Sequence, residues 1–312
     1  MAFTISICHR PTRQRRLCCK RHFYRRKGRY ITSMRVAPSF VPSVGQFVPL
    51  AEGDVSDAFA LSSIAGWNQT PDDWRLLLEL ADACCGIRVD GKIVATATLV
   101  CFGQTVAWIG MVLTHPEFRR RGLARSLVAR MMEQAEMLGV RTLKLDATDD
   151  GRRLYESFGF RPEQGVERWQ RVGQSVPAVK SGNVAANALR RDLDAEACGY
   201  DRGRLLMRLA AGGDAVTGSD GHALSRPGRL NRYLGPCVAV SQTTARAVIE
   251  ETIARHPDTG WFWDLLPANE SAAALAREFG FERVRELTRM SWGCELSGKE
   301  ERVFAIAGLE LG

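Results

Sequence analysis

The stretch Val112-Leu-Thr-His-Pro-Glu-Phe-Arg-Arg-Arg-Gly-Leu-Ala-Arg125 turns an apolar strand into a helix through a basic bend that contains a glycine. The strand runs from Trp108 to Leu113, and the spacing predicts a helix from Gly122 to Leu138. Leu123, Leu127, Val128, Met131 and Leu138 form its core-facing stripe, and Gly139 closes it. A helix N-terminus presents unpaired N–H groups and partial positive charge, which suits an anion. Gly122 has no Cβ, so a phosphate can approach the backbone. Arg119, Arg120, Arg121 and Arg125 add guanidinium groups, whose planar forks match phosphate oxygens. Neither a P-loop nor a dinucleotide fingerprint is present. The chemistry written here is pyrophosphate binding by a backbone loop.

A second motif follows: Leu143-Lys-Leu-Asp-Ala-Thr-Asp-Asp-Gly-Arg-Arg-Leu-Tyr-Glu-Ser-Phe-Gly-Phe160. Leu143 and Leu145 alternate with polar residues, as in a strand with one buried face. Leu154, Tyr155 and Phe158 then fall at helical spacing, and Gly159 supplies a left-handed stop.

Together, Arg119-x-x-Gly122-x-Ala124 and Leu154-Tyr-Glu-x-x-Gly-Phe160 resemble the two cofactor motifs of the GNAT acyltransferase superfamily. The resemblance implies a mixed α+β sheet and acetyl-CoA as co-substrate. Its pyrophosphate would meet N–H groups from Arg121 to Arg125, including Leu123 and Ala124, and the surrounding arginines. The pantetheine arm would bond to the backbone of Val112, Leu113 and Thr114. Tyr155 matches the family's catalytic tyrosine, which protonates the departing thiolate; a core aromatic is the competing reading. The family often has Asn seven residues before that tyrosine, where this chain has Thr148. His115, before Pro116, reads as structural.

The chain has 312 residues, room for two ordinary domains, and its 45% hydrophobic content supports a full core. Its net charge of +8 is concentrated at one end. Residues 1–33 hold ten Lys or Arg and no acid; the remaining 33 basic residues face 35 acidic ones, a net of −2. The globular part is therefore not expected to bind nucleic acid. Such a basic run is expected to be disordered. It fits an extension upstream of Met34 best; an organelle transit peptide and a nucleic-acid arm are the alternatives. No secretory segment or apolar run of membrane-spanning length exists, so no membrane association is expected. Nine cysteines without zinc spacing predict no metal and fit a reducing, cytoplasmic setting.

Further along, Phe47 to Leu50 reads as a strand, and Val55 to Ala65 and Asp72 to Ala81 as helices, with Asp72 or Thr70 as the N-cap. Trp67 lies in the loop between these helices and suits either an acceptor pocket or a core anchor. Cys85 to Val89 and Ile93 to Cys101 flank the hairpin signal Asp90-Gly91. Residues 172–184 read as a linker.

The second half repeats the first. Phe279-Gly-Phe281 mirrors Phe158-Gly-Phe160, and Asn269-x-x-Ala272-x-x-Leu275 mirrors Thr148-x-x-Gly151-x-x-Leu154. Yet Gly235-Pro-Cys-Val-Ala-Val-Ser-Gln-Thr-Thr-Ala-Arg246 lacks the phosphate motif, and Ala276 replaces Tyr155. The fold is expected to persist there without CoA binding. This arrangement resembles the tandem YitH-type acetyltransferases. It implies a basic lead-in (1–45), a catalytic GNAT domain (46–171), the linker, and a degenerate GNAT-like domain (185–312).

The implied reaction is direct transfer of acetyl, a group other than aminoacyl, from acetyl-CoA to a primary amine of a small-molecule acceptor. No Ser or Cys nucleophile motif argues for a covalent intermediate. Asp146, Glu117 and Asp149 are the carboxylates nearest the motifs, and none is singled out as the base. A non-catalytic acyl-CoA sensor is the alternative function. The acceptor and the oligomeric state are not encoded in any readable motif.

Overall fold

The computed structural model describes residues 42–173 and 189–312. The basic segment, residues 1–33, and most of the expected linker lie outside the described residues.

The first half opens with β1 (Gln46–Pro49), α1 (Val55–Ile64) and α2 (Pro71–Leu80). Thr70, rather than Asp72, caps α2: its hydroxyl accepts from the Asp73 N–H at 3.1 Å, and the Asp73 carboxylate accepts from the Thr70 N–H at 2.8 Å. Next come β2 (Ala83–Val89) and β3 (Lys92–Phe102), joined at Asp90 and Gly91, both with positive φ as a two-residue hairpin requires. Then β4 (Val106–Thr114), α3 (Leu123–Met137), β5 (Thr142–Ala147), α4 (Asp149–Glu156) and β6 (Arg161–Arg171) follow. Leu123, Leu127, Val128 and Met131 of α3 pack on Leu99, Ile109 and Leu145 of the sheet. Leu138, expected in that stripe, is exposed because the helix ends one residue earlier.

The same order recurs in α5 (Arg191–Cys198), α6 (Gly203–Gly212), β7 (Asp214–Gly218), β8 (Gly221–Arg226), β9 (Arg232–Ala239), α7 (Gln242–Ala254), β10 (Trp261–Leu265), α8 (Glu270–Glu278) and β11 (Glu282–Gly293). A short strand, β12 (Val303–Ala305), is added at the end.

The internal repeat predicts two tandem mixed-sheet domains. The two halves in fact share one sheet, ordered β1-β2-β3-β4-β5-β11-β6-β10-β9-β8-β7, with β12 on β9. The closing strands have exchanged places. β11 pairs antiparallel with β5, from Thr288↔Ala147 to Gly293↔Thr142. β6 pairs antiparallel with β10, from Trp261↔Arg171 to Leu265↔Glu167. The two exchanged strands pair with each other in the centre. Each half is thus completed by a strand of the other, and residues of β6 and β11 reach cavities they would not otherwise touch.

Candidate active site

In the first half β4 and β5 run parallel but pair only at Ala107↔Leu143 and Trp108↔Lys144. Beyond those residues they diverge. On its other side β4 pairs with β3, with a bulge where Thr96↔Leu113 and Thr98↔Gly110 enclose one residue on β3 and two on β4. One of those two, Met111, has φ of 50°. The bulge turns the β4 edge at Val112, Leu113 and Thr114 toward a cavity of about 690 Å³ that these residues line.

One end of the cavity is the basic bend. Gly122 caps α3 with φ of 78° and makes no side-chain cap, so the first N–H groups of the helix have no acceptor of their own. A Cβ on Gly122 would meet nothing within 4 Å; the space over the turn is open. Arg119, Arg120, Ala124 and Arg125 line the cavity beside it, with buried Leu123 beneath. Arg119 donates to the Thr114 carbonyl at 3.3 Å, and Arg125 donates to the Ser157 hydroxyl at 2.7 Å while lying over the Phe158 ring. Arg121 differs from the others. Its guanidinium donates to the Glu117 carbonyl at 3.1 Å and sits over Phe118, and its side chain is not part of the cavity lining.

Tyr155 lies in the cavity wall, only 8% exposed, edge-on to Phe160. Burial raises its phenol above the ordinary range, so the hydroxyl keeps its proton at neutral pH. Gly151 makes room for the ring: a Cβ there would come within 3.2 Å of it. Thr148 does the capping work of the asparagine it replaces, accepting from the Gly151 N–H at 3.2 Å. Its repeat partner Asn269 accepts from Ala272 N–H at 3.1 Å. Asp146 is not a free base: both carboxylate oxygens accept bonds from Arg289, at 2.9 and 3.0 Å. Glu117 and Asp149 are not among the lining residues.

The other end of the cavity holds residues that the motifs do not predict. Trp67 lines it and packs on the α1–α2 core. Gln69 follows, and Arg168 and Arg285 arrive on the exchanged strands. Glu310 comes from the segment after β12 and lies against Gly110, where a Cβ would stand 2.7 Å from the Glu310 carbonyl. A glycine at position 110 is therefore needed for this approach. No local pattern could have flagged Arg285 or Glu310, because their placement depends on contacts across more than 110 residues.

The second half has lost each of these openings. β9 and β10 pair through Leu234↔Trp263 and then separate, but β12 fills the gap. Val303 and Ala305 pair with β9, the Ile306 N–H donates to the Asp264 carbonyl at 2.9 Å, and Trp263 donates to the Phe304 carbonyl at 2.7 Å. The chain itself occupies what is open in the first half. Ser241 caps α7 by accepting from the Thr244 N–H at 3.2 Å, which removes a donor from that helix end. Phe304 lies in the same buried core as Ala272 and Ala276, the latter standing where the first half has Tyr155. Among the described residues no group of three or more His, Cys, Asp or Glu side chains is placed to hold a metal. Nor is any described helix long and apolar enough to cross a membrane.

This architecture is that of an acyl-transfer protein. Residues 55–160 match the acetyltransferase (GNAT) family, and residues 191–305 match a second acetyltransferase (GNAT) domain. The chain belongs to the GNAT acetyltransferase family, with two such domains in tandem. A candidate acetyltransferase from Pyrococcus horikoshii superposes with a TM-score of 0.76 at 20% identity, covering 93% of this chain and 100% of its own. A tandem GNAT protein from the clavulanic acid biosynthesis pathway gives 0.57 at 17%, covering 81% and 99%. A GCN5-related N-acetyltransferase from Sphaerobacter thermophilus gives 0.59 at 14%, covering 83% and 99%. At these identities the likeness is one of fold. No curated protein matches the sequence.

Proposed function

We propose that the first half transfers an acetyl group from acetyl-CoA to the primary amine of a small molecule. The observation that carries this reading is the contrast between the halves. The β4–β5 gap opens onto an uncapped, arginine-flanked helix terminus, whereas the β9–β10 gap is filled by β12 and its helix is capped by Ser241. On this reading acetyl-CoA supplies the activated acyl group. The amides from Arg121 to Arg125, with the side chains of Arg119, Arg120 and Arg125, hold its pyrophosphate. The β4 edge at Val112, Leu113 and Thr114 aligns the pantetheine arm like an added strand.

In the transfer, the neutral amine nitrogen bonds to the acetyl carbon, the carbon–sulfur bond breaks, the Tyr155 hydroxyl gives its proton to the departing sulfur, and the proton the nitrogen then sheds returns to the Tyr155 oxygen. Fixing both reactants against the β4 bulge supplies much of the rate through proximity. The test is calorimetric titration with acetyl-CoA, followed by a thiol-release assay over a broad amine panel. Binding with turnover supports transfer. Binding without thiol release on any amine would leave a sensor of acyl-CoA, and no binding at millimolar acetyl-CoA would remove the reading.

A further inference from the structure

Two charge clusters of opposite imbalance meet at the far end of the cavity. In the first, Arg226 donates from Nε to Asp73 at 3.0 Å, from Nη2 to Glu310 at 3.1 Å and from Nη1 to the Ala307 carbonyl at 2.7 Å. One guanidinium there serves two carboxylates, all three buried; with both ionised one negative charge is in excess, and burial pushes the Glu310 carboxyl up for want of a second cation. In the second, Arg168 makes a bidentate pair with Asp264 at 2.7 Å for both bonds. Arg285 stands directly across from Arg168 in the β11–β6 ladder. Its side chain has no hydrogen-bond or ion-pair partner among the described residues, and the Asp264 carboxylate that attracts it is already paired with Arg168, which leaves one positive charge in excess. Burial, and then the neighbouring Arg168, lower its pKa. The Tyr233 ring lies between the clusters, 4.0 Å from the Arg226 guanidinium carbon and 5.7 Å from that of Arg168.

Unmet hydrogen bonds point the same way. The Gln69 Oε1, Glu310 Oε2 and Thr114 Oγ1 atoms are buried without a partner in the chain, and all three residues line the cavity. Gln69 and Glu310 are each 3% exposed. Buried oxygens in this state call for a donor. The Glu310 backbone and Cβ rest on Gly110, immediately before the bulge residue Met111, so the residue that carries the carboxylate is fixed to β4.

We infer that the acceptor is a small amino acid, or a close analogue with both an amine and a carboxylate, its ammonium set against Glu310 and Gln69 and its carboxylate against Arg285. This rests on the acyl-transfer reading of the cavity. A dipolar molecule neutralises both clusters at once. A simple amine would answer Glu310 and leave Arg285 half-buried and unmatched, which is costly for a charge. Arginine is suited to the task because its fork binds a carboxylate through two parallel bonds.

The experiment titrates the twenty standard amino acids, and the amines made by removing their carboxyl group, into the full chain held at saturating CoA. At least one amino acid should bind about tenfold or more tighter than its decarboxylated partner. Arg285→Gln should erase that gap, and Arg285→Lys should keep part of it. The inference is overturned if no amino acid binds, if the paired amines bind equally well, or if the gap survives Arg285→Gln. Should that variant not fold, the wild-type pairs alone decide. Thiol release is read separately. Selective binding without release keeps the amino-acid site but removes transfer, and with it the role of acceptor; release with carboxyl-free amines, and no preference for amino acids, keeps transfer and overturns the inference.

Discussion

Arg289 on β11 grips Asp146 on β5 through two hydrogen bonds of 2.9 and 3.0 Å, and both side chains are buried. Arg168 on β6 grips Asp264 on β10 in the same way, at 2.7 Å for each bond. The two pairs are equivalent under the internal repeat. Each locks an exchanged strand to the half that receives it, and each guanidinium also lies on an aromatic ring, Trp108 for Arg289 and Phe262 for Arg168. A bidentate pair fixes register, because a one-residue slip would turn the arginine to the opposite face.

Removing one partner strands the other. Arg289→Ala leaves the Asp146 carboxylate buried without its counterion, and we expect a loss of about 3–5 kcal/mol in unfolding free energy. The double replacement Arg289→Met with Asp146→Leu should recover much of that loss, since no charge then remains buried. Equilibrium denaturation of both variants checks this. A loss below about 1 kcal/mol for the single variant would mean the pair contributes little to the exchange.

Gly122→Ala separates binding from folding. The residue has φ of 78°, so a side chain is strained by about 1 kcal/mol there. Its Cβ meets no protein atom within 4 Å, so it projects into the space proposed for the pyrophosphate. We expect acetyl-CoA affinity to fall by roughly tenfold or more, beyond what the change in stability explains. Calorimetry alongside thermal unfolding distinguishes the two effects, and unchanged affinity would place the pyrophosphate elsewhere.

The basic bend was legible because its signals are local. An apolar strand, a glycine at positive φ and a helical stripe lie within thirty residues, and the chain folds them as read. The exchange of β6 and β11 was not legible. Arg161–Arg171 and Glu282–Gly293 are both charged, alternating strands following a Phe-Gly-Phe turn, so nothing in either segment names its neighbour. The clue was Arg168 and Arg289 at the repeat offset, which gains meaning only beside Asp264 and Asp146. Glu310 was hidden for a related reason. Nothing in the residues beside it marks its approach to Gly110.

Acid should weaken the second half through Asp194. Burial opposes its ionisation, but the Arg202 guanidinium, bonded at 2.8 and 3.0 Å, and then the His222 ring at 3.6 Å override this and hold the carboxyl down at about 2. Arg202 also donates to the Gly312 carbonyl at 2.7 Å, so the pair anchors the segment that carries Glu310. A depressed folded-state pKa adds stability above the unfolded value near 4, and that stability is lost as pH falls toward 2. The contribution is about 2 kcal/mol. The stability difference between wild type and Asp194→Asn should therefore shrink between pH 5 and pH 2. A difference independent of pH would show that the pair is not coupled to folding.

Tyr155 distinguishes chemistry from packing. Its ring is buried beside Phe160 and over Gly151, and burial keeps its hydroxyl protonated at neutral pH. Tyr155→Phe retains the ring and removes only the hydroxyl. If the hydroxyl protonates the departing thiolate, thiol release should slow by about 100-fold while acetyl-CoA affinity and the unfolding midpoint hold. A donor thioester with a more acidic thiol should be less affected, because its sulfur leaves without help. If stability falls and turnover does not, the ring serves the core and the proton comes from elsewhere.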